Sequence, residues 1–249
     1  MDLRNLIKNF KVMRLARRQN ERIFSMDLYL NPNWKRVGIR LSGGCDSSLL
    51  YYALMHDTNL EVVPMTMDTK LKDWYQTGTA KVIDRVTELT GRQPYAWHRH
   101  YQPDFVDKFS PDPYVAGVNQ MQSDCVEKYN LDAVYIGLTR NPPIADMREY
   151  FETHDHGLDL EDVFDHQTGR DSERDEQVEP IIKKLKNTVQ VIPWANSDKR
   201  DVYQAYLEYD VLDTLYPYTY SCEWTGQNFV HCEHCFFCQE RWWAFGRII

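Results

Sequence analysis

An α/β fold, a parallel sheet with helices on both faces, is what this sequence predicts, and three observations lead there. Short apolar runs rich in Val and Ile alternate with longer helical patterns from residue 36 to residue 209. The first run ends in a glycine turn, Ser42-Gly43-Gly44, that opens into an apolar helix. The 249 residues are 43% hydrophobic, enough for one large core with a small appendage.

Taken in order, Leu3–Leu30 reads as a helix, with Leu6, Phe10, Met13 and Arg17 at near-helical spacing, and Asn31-Pro32-Asn33 breaks it. Arg36–Leu41 (RVGIRL) reads as a buried strand and Asp46–His56 as an apolar helix. Leu60–Met67 is the second strand, and Asp73–Thr90 a helix closed by Gly91. Pro94–His98 is placed as a third strand, Tyr114–Tyr129 as a helix and Ala133–Leu138 as a fourth strand, ended by Asn141-Pro142-Pro143. Val189–Ile192 is the last strand and Ser197–Tyr209 a helix with Ser197 or Asp198 as its cap. The organisation expected is a helical extension over 1–34, an α/β body over 35–215, and a cysteine-bearing segment over 216–249.

The net charge of −8 is uneven. Between Asp146 and Glu179 thirteen acidic residues face Arg148, Arg170 and Arg174, so the rest of the chain is close to neutral. That stretch lacks periodicity and reads as an inserted loop or loosely helical excursion over 146–179. The basic residues of the first 22 positions read as a solvated helix face, and a nucleic-acid partner is not expected. No apolar run approaches the roughly 20 residues that span a bilayer. The start, Met1-Asp2-Leu3-Arg4, lacks a secretory pattern. A cytoplasmic chain with reduced thiols is the expectation.

Ser42-Gly43-Gly44-Cys45-Asp46-Ser47-Ser48 is the most informative stretch. Paired glycines let backbone approach an anion, and the helix start that follows offers free N–H groups. Ser42, Ser47 and Ser48 add hydroxyls, while Asp46 in an anion site implies a cation such as Mg²⁺ or a role in orienting the loop. Cys45 is either a reactive thiol near a helix start or a packed bystander. A Walker loop is excluded, because Gly44 and Cys45 stand where Lys and Ser/Thr are required, and no G-x-G-x-x-G is present.

Cys222, Cys232, Cys235 and Cys238 are spaced C-x9-C-x2-C-x2-C, which suits one tetrahedral Zn²⁺ in a closed structural site. An iron–sulfur cluster is the competing ligand. His231 and His234 sit inside the spacing as neighbours or substitute ligands.

The S-G-G-x-D-S pattern resembles the signature of the PP-loop ATP pyrophosphatases, which implies a Rossmann-like sheet of the HUP type and cleavage of ATP between its α and β phosphates. With the four-cysteine tail, the chain looks most like the 7-cyano-7-deazaguanine synthases. Ile192-Pro193-Trp194 with Ser197-Asp198-Lys199, Tyr218-Thr219-Tyr220-Ser221-Cys222, Cys238-Gln239-Glu240-Arg241 with Ala244-Phe245, and Val134-Tyr135-Ile136-Gly137 carry that likeness. It implies adenylation of the carboxylate of 7-carboxy-7-deazaguanine by ATP, with ammonia giving the amide and then the nitrile, and a homodimer. Ser42, Gly43, Gly44, Cys45, Asp46, Ser47 and Ser48 would hold ATP, and Asp68 would lie by the adenine or ribose. Asp46, Ser47 and Lys199 would serve the chemistry, with a salt-bridged surface lysine as the other reading of Lys199. Gly137 and Arg140 would meet the substrate. The family's tyrosine- and proline-containing tract with its aspartate is here Leu138-Thr139-Arg140-Asn141-Pro142-Pro143, so Arg140 either clamps a carboxylate or pairs with the acidic insertion. Ligation of another carboxylate, sulfur transfer to tRNA, and a non-catalytic zinc module are the alternatives.

Overall fold

The computed structural model describes residues 11–15, 26–69, 74–102, 111–153, 181–185, 188–222, 231–233 and 235–247. It opens on two antiparallel strands, β1 (Lys11–Leu15) and β2 (Met26–Leu30). Over 11–15 and 26–30 these strands correct the helix expected over 3–30; the rest of that span lies outside the described residues. Met26, Leu28 and Leu30 alternate with the strand period, and Leu28 is fully buried. The Tyr135 hydroxyl fixes β2 against the body by donating to the Tyr29 carbonyl at 2.6 Å.

The main sheet contains β3 (Arg36–Arg40), β4 (Glu61–Thr69), β5 (His98–Gln102), β6 (Ala133–Ile136), β7 (Ile181–Leu185) and β8 (Thr188–Ile192). Their spatial order is β5-β4-β3-β6-β8-β7. Five strands are parallel and β7 pairs antiparallel with β8 at one edge. This is the expected α/β, Rossmann-like arrangement. Among the described residues the α-helices are α1 (Cys45–Asp57), α2 (Trp74–Thr90), α3 (Pro111–Tyr129), α4 (Ile144–Thr153), α5 (Lys199–Glu208) and α6 (Phe236–Phe245).

Each sheet face has its own core, as the strand period requires. Val37 and Ile39 face a cluster with Leu49, Leu50, Val82, Val86, Val202 and Phe245. Val63, Met65 and Val134 face the α3 side with Met121 and Cys125.

Two boundaries differ from expectation. The third strand runs over His98–Gln102 rather than 94–98. Pro94 has no donor for a ladder, and Tyr95 gives only a single bond, to Val62 O at 2.9 Å. The strand itself, HRHYQ, is an edge strand whose polar residues hide it from an apolar search. β7 was not foreseen, and its two lysines suit an edge. The acidic stretch begins inside α4, and residues 154–179, with His154, His156 and His166, lie outside the described residues. Among the described residues no helix is long and apolar enough to cross a membrane.

Candidate functional site

The turn after β3 lies where the chain order switches, with β4 on one side of β3 and β6 on the other. Open α/β sheets bind ligands at such points, beyond the carboxyl ends of the strands. Gly43 has φ 81°, a left-handed conformation that glycine adopts without strain. The Gly43 carbonyl accepts the Tyr220 N–H at 2.8 Å, which ties the turn to the cysteine-bearing segment. Gly44 occupies the cap position of α1, and no side chain caps it there. The first N–H groups of α1 are therefore left for an anion.

Ser47 gathers the turn. Its Oγ donates to Gly44 O at 3.2 Å and lies 3.2 Å from Ser42 Oγ. Ser48 is fully buried, and its hydroxyl has no hydrogen-bond partner among the described residues. Gly137, just past β6, passes against the same helix start: a Cβ there would lie 2.7 Å from Ser47 Cα and 2.8 Å from Ser47 N.

Cys45 is the packed residue of the two readings. Burial first, then the Asp46 charge, pushes its thiol up to about 11, so it is neutral and unreactive near pH 7. Its carbonyl accepts the Tyr206 hydroxyl at 2.9 Å, which anchors α1 to α5.

Lys199 is not a surface lysine. It is 5% exposed, and its Nζ lies 2.5 Å from Asp46 Oδ2 and 3.5 Å from Glu240 Oε2. Burial opposes its charge, but Asp46 overcomes that opposition and holds its pKa above the ordinary lysine value. A permanent cation therefore stands beside the uncapped helix start. Asp198 positions it through a capping box: its carboxylate accepts from the Arg200 and Asp201 N–H groups, while Asp201 accepts from the Asp198 N–H. Asp198→Ala is expected to cost about 0.5–2 kcal/mol of stability. Urea titration reads that loss.

Asp68, near the carboxyl end of β4, is buried and pairs with Arg99 Nε and Nη2 at 3.1 and 3.0 Å. Arg140 pairs with neither a described carboxylate of the acidic stretch nor an exposed partner. Its Nη2 lies 3.7 Å from Asp198 Oδ2, and its N–H donates to Ser197 O at 3.0 Å. The loops after β6 and β8 are thus joined beside the turn. Asn141 is buried there, with its Oδ1 lacking a partner among the described residues.

The sulfurs of Cys222, Cys232, Cys235 and Cys238 all lie within 4.8 Å of one another. Cys235 and Cys238 are 3.6 Å apart, Cys232 and Cys238 3.9 Å. Four ligands 2.3 Å from one tetrahedral ion stand about 3.8 Å apart, so the set fits a single thiophilic cation. Hydrogen bonds with Cys222 and Cys235, and then burial, push the Cys238 thiol far upward; a cation is what allows four such sulfurs to ionise together. The Cys232 and Cys235 N–H groups donate to Cys222 and Cys232 sulfurs at 3.4 and 3.3 Å. His231 sits behind the set, with Nδ1 3.6 Å from Cys238 Sγ and its ring 4.8 Å from that of Tyr220. Burial and the Arg241 charge hold it down at about 4, a neutral neighbour. His234 lies outside the described residues.

Sequence reasoning used Tyr220, Glu240 and Arg241 only as part of the family likeness and did not single out Tyr206. The signal for Glu240 and Arg241 was a charged pair inside an aromatic helix, FFCQERWWAF, where both side chains prove fully buried.

No family model and no curated relative matches the sequence. Among solved structures, the chain is similar to a U34-tRNA thiolase, NcsA, from Methanococcus maripaludis with its 4Fe-4S cluster, at 14% identity and a TM-score of 0.45. That match covers 72% of this chain and 58% of the thiolase, so the chain spans little more than half of that protein. It is also similar to a phosphoadenylyl-sulfate reductase from Candida auris in a phosphate complex, at 12% identity and a TM-score of 0.36, covering 72% of this chain and 74% of the other.

Proposed function

We propose that this chain is an ATP-dependent adenylating enzyme of the PP-loop type that activates a carboxylate for attack by ammonia, as a 7-cyano-7-deazaguanine synthase does. The observation that carries this reading is a buried, permanently charged Lys199 held by Asp46 beside a glycine turn and an uncapped helix start. Those groups suit a polyphosphate, which would lie over Ser42–Ser48 with Lys199 offsetting its charge. Mg²⁺ arriving with ATP would supply further charge neutralisation. Asp46 then serves chiefly to fix Lys199.

The substrate would lie over Gly137 and Arg140, its carboxylate aimed at the α phosphorus. A carboxylate oxygen attacks that phosphorus and pyrophosphate leaves. Ammonia then attacks the acyl carbon, and AMP departs with the amide formed. Positioning is the main contribution of the protein. Dehydration of the amide to the nitrile would use a second ATP in the same site.

The close sulfur set supports zinc in a structural site. A [4Fe–4S] cluster binds its thiolates on separate irons and needs them farther apart. This spacing weighs against sulfur transfer to tRNA by a cluster. Residues 35–215 would form the ATP-binding body and 216–249 the zinc segment. A second reading, ligation of a different carboxylate, is favoured by Arg140 and Asn141 standing where the family carries its aspartate tract.

The test is incubation of the zinc-loaded protein with ATP, Mg²⁺, ammonia and 7-carboxy-7-deazaguanine, read by mass spectrometry. A nitrile product with AMP, lost in Lys199→Met, is the expected outcome. Amide without nitrile would favour the second reading, and absence of any substrate-dependent AMP would overturn the first.

A further inference from the structure

Arg241 is a fully buried cation, and among the described residues no carboxylate lies within ion-pair distance of it. Taking a charge out of water without a counter-charge is costly, so an arginine kept in such a place has an anion nearby in the working protein. Two hydroxyls and a ring place its side chain. Nη1 donates to Thr219 Oγ1 at 3.0 Å and to Ser221 Oγ at 3.1 Å, and the guanidinium lies 4.2 Å over the Tyr216 ring. Ser221 immediately precedes Cys222, and Arg241 follows Cys238 by three residues on α6. The side chain thus joins the two arms that carry the sulfurs. Four thiolates around one divalent ion leave a net charge of about −2.

The same arm touches the phosphate turn. Tyr220 N–H donates to Gly43 O at 2.8 Å, and a Cβ built on Gly44 would lie 3.7 Å from Ser221 Oγ. On the next turn of contacts, Glu240 reaches Lys199 at 3.5 Å. Two consecutive residues of α6 therefore face the two halves of the site, one its lysine and the other its glycine turn.

We propose that Arg241 is the counter-charge of the four-thiolate centre and the positioning residue that links it to the phosphate turn, so that metal and MgATP bind cooperatively. This rests on the zinc and ATP readings above. Coupling of this kind is reciprocal: what zinc adds to nucleotide affinity, nucleotide adds to zinc retention.

The experiment measures transfer of zinc from the loaded, full-length protein to a coloured chelator, with and without saturating MgATP. MgATP is expected to slow zinc loss several-fold in the unmodified chain. Arg241→Met should speed that loss by about 10–100-fold, the usual effect of removing a group behind metal ligands, and should abolish the nucleotide effect. Arg241→Lys returns the charge and should restore most of the retention. It should not restore nucleotide protection, because the lysine stem ends one bond short of Nη1, the nitrogen that holds both Thr219 and Ser221. Zinc loss from folded Arg241→Met at the unmodified rate would overturn the proposal.

Should Arg241→Met not fold, Ser221→Ala decides: it keeps the charge, so zinc should be retained while nucleotide protection disappears. Unchanged protection in that variant would overturn the link to the turn. A chain that holds zinc but binds no MgATP would instead overturn the nucleotide reading and the coupling with it. The release rate of Arg241→Met would still decide the counter-charge.

Discussion

Gly137→Ala is expected to remove MgATP binding to the limit of calorimetric detection and to lower stability by about 1–3 kcal/mol. The added methyl meets backbone, not a yielding side chain: Ser47 Cα at 2.7 Å and Ser47 N at 2.8 Å. Relief requires β6 and the start of α1 to separate, and both are anchored. β6 is paired on both sides, with β3 and β8. α1 is held through Cys45 O by Tyr206 and through the Gly43 turn by Tyr220. The separation therefore falls on the turn, whose Ser47 hydroxyl bonds Gly44 O. A fold with unchanged nucleotide affinity in this variant would mean that the turn is not the nucleotide site.

The second large effect is expected from Asp46→Ala. Removing one member of a buried ion pair costs about 3–5 kcal/mol, because the other charge is left uncompensated. Here Glu240, 3.5 Å from Lys199, should keep the loss toward the lower end of that range. Adding Lys199→Met to Asp46→Ala should recover much of the stability, measured by urea titration, while adenylation stays abolished. Recovery of both would show the pair to be structural only. The pH dependence has a definite sign. Because the folded pKa of Lys199 is raised, its stabilising contribution is complete below the ordinary value of 10.5 and is lost only as pH climbs through the raised value. Between pH 7 and 9 Lys199 should contribute no slope to the stability curve.

The parts of the fold that were legible in the sequence are those where local pattern and burial agree. RVGIRL is apolar on alternate positions and buried on both faces, and the glycines that follow it permit the left-handed turn seen at Gly43. The cysteine spacing likewise needed no tertiary information to suggest one ion. Other parts depended on partners remote in sequence. β1 and β2 became visible only through their pairing and through Tyr135, over a hundred residues from Tyr29. HRHYQ carries no apolar stripe because it lies at the sheet edge.

The site follows the same division. Ser42–Ser48 announce themselves by residue type. Lys199 was ambiguous until its distance to Asp46, 153 positions earlier, separated a buried ion pair from a surface lysine. Glu240 and Arg241 contact Lys199 and Ser221, and nothing in their local sequence names those partners. Arg140 was read as a clamp or a partner of the acidic stretch, whereas its described ion pair is with the cap of α5.

Adenylation of a carboxylate is the central claim, and oxygen transfer tests it most directly. The zinc-loaded protein would be given MgATP, ammonia and 7-carboxy-7-deazaguanine labelled with ¹⁸O in its carboxylate, and the AMP examined by mass spectrometry. One ¹⁸O in the AMP phosphate is the result this account predicts, because the oxygen that attacks the α phosphorus departs with AMP. Unlabelled AMP, or ADP in place of AMP, would contradict it.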